Sequence, residues 1–419
     1  MRDIVITGVG VVSPIGLGKV QFQASLCEGR SGVRLLQQYT GRSLPVTCGG
    51  EVSDFDPKQY VKPRKSLKVM SRDVQFAYCA ADQACADAGL QPDNHDPERV
   101  GVVFGSDMIY CDPAEIVGAF RQCMVNDQFD FSRWGSVAFS EMFPLWLLKY
   151  LPNMPACHIG IAHDARGPTN SITLGEVSSL LAISEGMRVI ERGQADVMIV
   201  GGVGCRLHPT CYTVRGARDL SRHEGDPAEA CRPFDAARSG LVMGEGAAAF
   251  VLESAQHARR RGAKAVARVL SYANSFQPHH NGLAAPGAAI RNSITAALRA
   301  AGVSPGRIGH VNANGLGTVV ADAVEAQAIH DVLGDVPVTA PKSYFGNLGA
   351  GAGAVELVAS LLALESGEVP PTLNYRTPDP ECPVRVVNTA PCKSDHPTAL
   401  LLNQAHTGQA VAMVIAAPE

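Results

Sequence analysis

Cysteine is the residue in this sequence with the most latent chemistry, as thiolate nucleophile, disulfide half or metal ligand, and the chain carries twelve. Their spacing does not gather them. None stands in a C-x-x-C pair, and no cysteine–histidine cluster has zinc spacing. Cys79 and Cys85 fall in an Ala-rich helical stretch, where a small apolar residue in a reducing compartment is expected. No metal or cofactor is expected on this reading. The densest basic segment is Lys62, Arg64, Lys65, Lys68 and Arg72. It suits either a solvated helix face or the docking of an acidic partner. Arg259-Arg260-Arg261 reads as a helix C-terminus complementing its own dipole.

The elements that must position any site alternate along the chain. Strands are expected at Ile4 to Val12, Val100 to Gly105, Asp196 to Gly201 (closing in a Gly-Gly turn), Ala247 to Leu252, Val336 to Thr339, Leu400 to Leu402 and Val411 to Ala416. Helices are expected at Val74 to Ala88, Ser178 to Arg192, Ala289 to Ala301 and Ala323 to Leu333. Such alternation argues for an α/β fold with buried sheets. The chain turns polar and basic near Glu253 to Ala263, the most plausible seam.

With 419 residues, 46% hydrophobic and 18% charged, the chain has ample material for a large core. A net charge of −4 gives no whole-protein reason to expect nucleic acid. No apolar run is expected to span a membrane, which needs about 20 residues. The opening from Met1 to Gly8 reads as a strand, not a leader, so a cytoplasmic location is the default expectation.

Five segments together resemble β-ketoacyl-acyl-carrier-protein synthases of the thiolase superfamily. They are Val5-Ile6-Thr7-Gly8-Val9-Gly10-Val11-Val12-Ser13-Pro14-Ile15-Gly16; Arg232-Pro233-Phe234-Asp235 with Val242-Met243-Gly244-Glu245-Gly246; Gly167-Pro168; Asn314-Gly315-Leu316-Gly317-Thr318 with Asp322 and Glu325; and Lys342-Ser343-Tyr344-Phe345-Gly346-Asn347-Leu348-Gly349. The resemblance implies a thiolase-like duplicated five-layer αβαβα fold, with halves at residues 1–255 and 256–419. It also implies a dimer formed across a strand placed at about Ala156 to Ala162.

Enzymes of that family use a cysteine at a helix N-terminus to take up an acyl chain. Two histidines then stabilise the enolate formed when a malonyl unit loses carbon dioxide. Aligned from Gly167-Pro168, the cysteine position holds Glu176, and Asn314 and Asn347 replace the histidines. A carboxylate at 176 cannot serve as the thiolate does, since its acyl product would be an anhydride; its charge suits a helix N-terminus. An Asn amide donates a hydrogen bond but does not titrate near neutral pH. Ser178 and Ser179 read as ordinary first-turn residues. The resemblance makes Lys342 and Glu325 a buried ion pair bracing the site, with Asp322 bracing the loop of Asn314, and leaves Glu245 and Arg232 to Asp235 as scaffold.

The family's C-terminal gate, Asn-x-Phe-Gly-Phe-Gly-Gly, here reads Asn403-Gln404-Ala405-His406-Thr407-Gly408-Gln409. Both gating aromatics are gone. The second oxyanion donor falls at the Thr407 N–H, and His406 stands near the expected pocket. The apolar block Phe143, Leu145, Trp146, Leu147, Leu148 and Tyr150 reads as core, with a tunnel role as the alternative. The expectation is a homologue without the Cys-His-His set that binds acyl carrier protein, as a homodimer or as a heterodimer with an active ketosynthase, like a chain-length factor. The alternative is a residual malonyl-carrier decarboxylase or other acyltransferase built on Glu176, Asn314 and Asn347.

Overall fold

The computed structural model describes residues 3–39, 48–91, 93–215, 219–278 and 287–418, so Met1 and Arg2 of the expected opening strand lie outside it. The chain opens in β1 (Ile4–Ser13), buried along its whole length. Helix α1 (Arg72–Asp87) starts where the Ser71 hydroxyl accepts the Val74 N–H. There follow β2 (Val100–Ser106), α2 (Met154–Ala162), β3 (Thr169–Ile172), α3 (Ser178–Glu191), β4 (Val197–Cys205) and β5 (Glu245–Ser254). The second half brings β6 (Ala267–Phe276), α4 (Ala288–Ala301), β7 (His310–Asn312), α5 (Val319–Leu333), β8 (Pro337–Thr339), α6 (Ala352–Ser366), β9 (Thr398–Gln404) and β10 (Gln409–Ala416).

The sheet pairings repeat. In the first half the order is β1-β5-β4-β2-β3, with the first two pairings antiparallel and the last two parallel. In the second it is β6-β10-β9-β7-β8, with the same senses. Short antiparallel pairing of Ile4–Ile6 with Ala267–Val269 joins the two. The cores match this layering. Side chains of α3 and α6 form one apolar cluster with both sets of strands, α1 covers the outer face of the first set, and α4 and α5 cover that of the second. This is the thiolase-like arrangement of helix and sheet layers.

Three expectations need correction. Ala156 to Ala162 is part of helix α2, begun by Pro155 in its first turn, not a strand. The sheet ends instead at β3, whose residues Thr169-Asn170-Ser171-Ile172 are too polar to stand out as an apolar run. Gly201 and Gly202 do not end their strand; β4 runs through them to Cys205. A Cβ at 202 would lie 2.5 Å from the Ser179 Cβ, where α3 packs on the sheet, and one at 201 would lie 2.1 Å from the Ala248 carbonyl oxygen of β5. The Phe143 to Tyr150 block is core only in part: Leu148 packs on a buried cluster with Val61, Met70 and Val74, whereas Phe143, Leu145 and Leu147 are 45%, 51% and 51% exposed around a short 3-10 turn. Among the described residues one stretch, Gly349–Ser366, is long and apolar enough to cross a membrane, which was not expected from the sequence. It is 83% buried, as the central core helix and the turn before it.

Candidate functional site

The chain enters the site from β3. Gly175 takes φ +61, a left-handed angle that turns the backbone into α3, and places Glu176 1% exposed. Neither neighbouring serine is available as a nucleophile. The Ser178 hydroxyl donates to the Gly175 carbonyl at 2.7 Å and accepts the Leu174 N–H at 2.8 Å. Ser179 accepts the Ala354 N–H at 3.0 Å, tying α3 to α6.

Glu176 meets a cation that the sequence did not point to. Arg206 Nη1 donates to Glu176 Oε1 at 2.6 Å. The other side of the same guanidinium, Nε and Nη2, grips the two oxygens of Asp107 at 2.9 and 3.2 Å. Asp107 directly follows β2 and Arg206 directly follows β4, two adjacent parallel strands. The array therefore lies at their carboxyl ends, where α/β sheets place their sites. Burial by itself would lower the Arg206 pKa, and the carboxylates of Asp107 and Glu176 more than reverse this, holding it above its ordinary value. The only signal in the sequence was a charged residue immediately after each of two buried strands.

The turn after Asn347 is fitted to this array. Gly349 has φ +60, and a Cβ there would fall 2.0 Å from Asp107 Oδ2 and 2.1 Å from Arg206 Nε. The Ala350 N–H donates to Asp107 Oδ2 at 3.1 Å. Asn347 is oriented at both ends of its amide: Oδ1 accepts the Gly349 N–H at 3.1 Å and Nδ2 donates to Glu176 Oε1 at 3.1 Å. Glu176 and Asn347, two of the three expected positions, are thus in direct contact.

Asn314 is buried on the second half's side. Lys342 Nζ donates to its backbone oxygen at 2.7 Å and to its Oδ1 at 3.0 Å. The carboxylate paired with Lys342 is Glu356 of α6, not Glu325. Glu356 also accepts Asn403 Nδ2 at 2.7 Å, so the gate-motif asparagine belongs to the brace. Glu325 serves the backbone instead, accepting the N–H groups of Asn314 and Gly315 at 2.7 and 2.8 Å. The motif spacing located Glu325 beside the loop, but α5 turns its carboxylate to the main chain while α6 reaches the ammonium. Asp322 accepts the N–H groups of Phe234, Leu316 and Gly317. Burial pushes Glu325 up to about 8 and Asp322 up to about 6, against the lowering effect of these N–H donors.

Residues 404–409 form a tight hairpin turn between β9 and β10. The Ala405 N–H donates to the Gln409 carbonyl at 2.9 Å and the Gly408 N–H to the Ala405 carbonyl at 3.0 Å. His406 and Thr407 are both exposed at its tip. His406 lines a cleft of about 1210 Å³, together with Asp107, Arg206 and Gly175. Glu245, expected as scaffold, accepts Arg72 Nε at 2.8 Å and the Val52 N–H at 3.0 Å. Arg72 of the basic segment is thereby paired, with 40% of its side chain still exposed, and Lys62, Arg64, Lys65 and Lys68 are exposed. Arg261 pairs with buried Glu253 at 2.5 Å, so it does more than end a helix.

Set beside known proteins, residues 1–258 match the β-ketoacyl synthase N-terminal domain and residues 266–376 its C-terminal domain. The chain is 32% identical to the 3-oxoacyl-[acyl-carrier-protein] synthase 2 of Synechocystis sp. over 91% of this chain and 90% of that protein. Two solved structures cover the whole chain and are covered whole by it. One is a type II polyketide synthase acyl-carrier protein in complex with its ketosynthase bound to the hexaketide, at 29% identity and TM-score 0.85. The other is the ishigamide ketosynthase/chain length factor, at 27% identity and TM-score 0.86. On matches that run from its first residues through both halves, the chain belongs to the β-ketoacyl synthase family.

Proposed function

We propose that this chain is a non-condensing ketosynthase-fold subunit that binds an acyl carrier protein and pairs with an active ketosynthase, in the manner of a chain-length factor. The observation that carries the reading is the 2.6 Å contact between Glu176 and Arg206. The position that would accept an acyl chain is filled by a buried carboxylate paired with a guanidinium. A carboxylate bound to a guanidinium is a poor nucleophile, and no titrating group stands at 314 or 347 to stabilise an enolate. The Asn347 amide, which could serve a thioester carbonyl, donates to Glu176 instead.

The neighbouring structures support the partners named here, one by its bound carrier protein and the other by its chain length factor. Edge strand β3 and the half-exposed Phe143, Leu145 and Leu147 supply the kind of edge and apolar surface a second subunit covers. The exposed lysines and arginine at 62–68 suit an acidic carrier. A cytoplasmic setting and the division at residue 255 belong to the same reading.

The test offers purified protein acyl- and malonyl-carrier substrates, with and without a co-encoded intact ketosynthase. The expected result is no mass shift on this chain alone, and co-elution with the ketosynthase. A covalent acyl adduct on this chain would overturn the proposal.

A further inference from the structure

Arg206 and Asn347 are arranged as a carboxylate receptor. The Arg206 side chain is 7% exposed and cannot swing, because Asp107 holds two of its nitrogens and is itself held by the Ala350 N–H. This leaves Nη1 aimed at Glu176 Oε1, where Asn347 Nδ2 converges on the same oxygen. Nothing in these contacts depends on the carboxylate being joined to the chain. A 1210 Å³ cleft lined by Asp107, Arg206 and Gly175 reaches the guanidinium, while Glu176 and Asn347 lie behind its lining.

We propose that Arg206 and Asn347 form a binding site for a short carboxylate, which this chain fills with its own Glu176 and thereby closes to a malonyl-type carboxylate. Two effects keep it closed. The array of Asp107, Arg206 and Glu176 already carries one net negative charge, so a further carboxylate is repelled. A tethered group also competes at an effective concentration on the order of millimolar or above. Extended to carrier-borne acyl groups, which rests on the function proposed above, this makes the chain admit neutral acyl groups and refuse malonyl.

The test uses free malonate and acetate with the full-length chain, so it involves neither carrier nor partner and its failure is separate from that of the proposed function. Glu176→Ala vacates the receptor. Calorimetric titration should then show saturable carboxylate binding at least about ten-fold tighter than in the unmodified chain. The gain should vanish in Glu176→Ala/Arg206→Gln. Folded Glu176→Ala that binds no tighter than the unmodified chain overturns the proposal, as does binding that survives Arg206→Gln. Should Glu176→Ala prove too unstable to titrate, its melting is compared in malonate and in chloride at equal ionic strength. A rise in malonate larger than that of Glu176→Ala/Arg206→Gln supports the site, since kosmotropic anions stabilise folded proteins generally, and an equal rise in the two variants overturns it.

Discussion

Replacing Arg206 by Met should be among the most damaging single changes in this chain. The substitution keeps much of the side chain's volume and removes its charge. Glu176, 1% exposed, loses its guanidinium and keeps the Asn347 Nδ2 contact, and Asp107 loses both of its guanidinium bonds and keeps the Ala350 N–H. Breaking a buried pair by deleting one partner costs about 3–5 kcal/mol, because a buried charge is left behind. The Asp107 side chain is 18% exposed and borders the cleft, so water relieves part of its share and the lower end applies. The expected loss is therefore about 3 kcal/mol. Removing the orphaned charge should restore much of it: Glu176→Leu in the Arg206→Met background should be more stable than Arg206→Met alone. The coupling between the two changes should be about 2 kcal/mol. Urea denaturation of the four proteins, followed by tryptophan fluorescence and circular dichroism together, measures the cycle. If Arg206→Met falls within about 0.5 kcal/mol of the parent, or the two changes simply add, the ion array does not hold this site together.

Three further outcomes follow from the same contacts. Lys342→Met should cost about 3–5 kcal/mol, since Glu356 is buried and Lys342 also anchors Asn314; denaturant midpoints measure it, and a neutral result would refute the brace. Glu325 is held at about 8 against an ordinary 4.5, so its contribution to stability is full below about 4.5 and is lost as pH rises through about 8; Glu325→Gln should flatten the stability profile across that window. Glu176→Cys places a thiol beside the Arg206 guanidinium, so it should react with iodoacetamide faster than buried Cys79, Cys85 and Cys231, whose thiols are raised by burial, yet yield no condensation product while Asn314 and Asn347 remain.

The scaffold was legible where burial is one-sided or complete over a short run. Strands β1, β2, β5 and β10 stand out because Val, Ile and Ala recur between turn residues, and α1 and α3 because their apolar faces repeat at helical spacing. Elements were lost where that contrast fails. Helix α6 is buried almost all round, so it has no polar face to give it a period. Strand β3 is polar because it sits at the sheet's edge, and the resemblance sets that strand on the residues of α2, an apolar segment without a period. At the site, the motifs single out Glu176, Asn314 and Asn347 by position. They could not supply Arg206 and Asp107, which stand 30 and 99 residues from the groups they meet. Lys342 shows the same limit: the spacing located its ammonium, and only the packing of α6 against the loop chose Glu356 over Glu325.

Glu176 and Arg206 explain each other better than either explains itself. A carboxylate in this pocket without a cation would carry the desolvation cost of a buried charge, several kcal/mol. Arg206 without Glu176 would have only Asp107, whose two oxygens already take its other nitrogens, and Nη1 would face the pocket with no anion. Gly349 completes the set, since a side chain at that position would displace both Asp107 and Arg206. Four groups from four segments, at the ends of β2 and β4, in the turn into α3 and in the turn before α6, are fitted to one another around a carboxylate. The pocket therefore holds Glu176 as one part of a coherent charged centre.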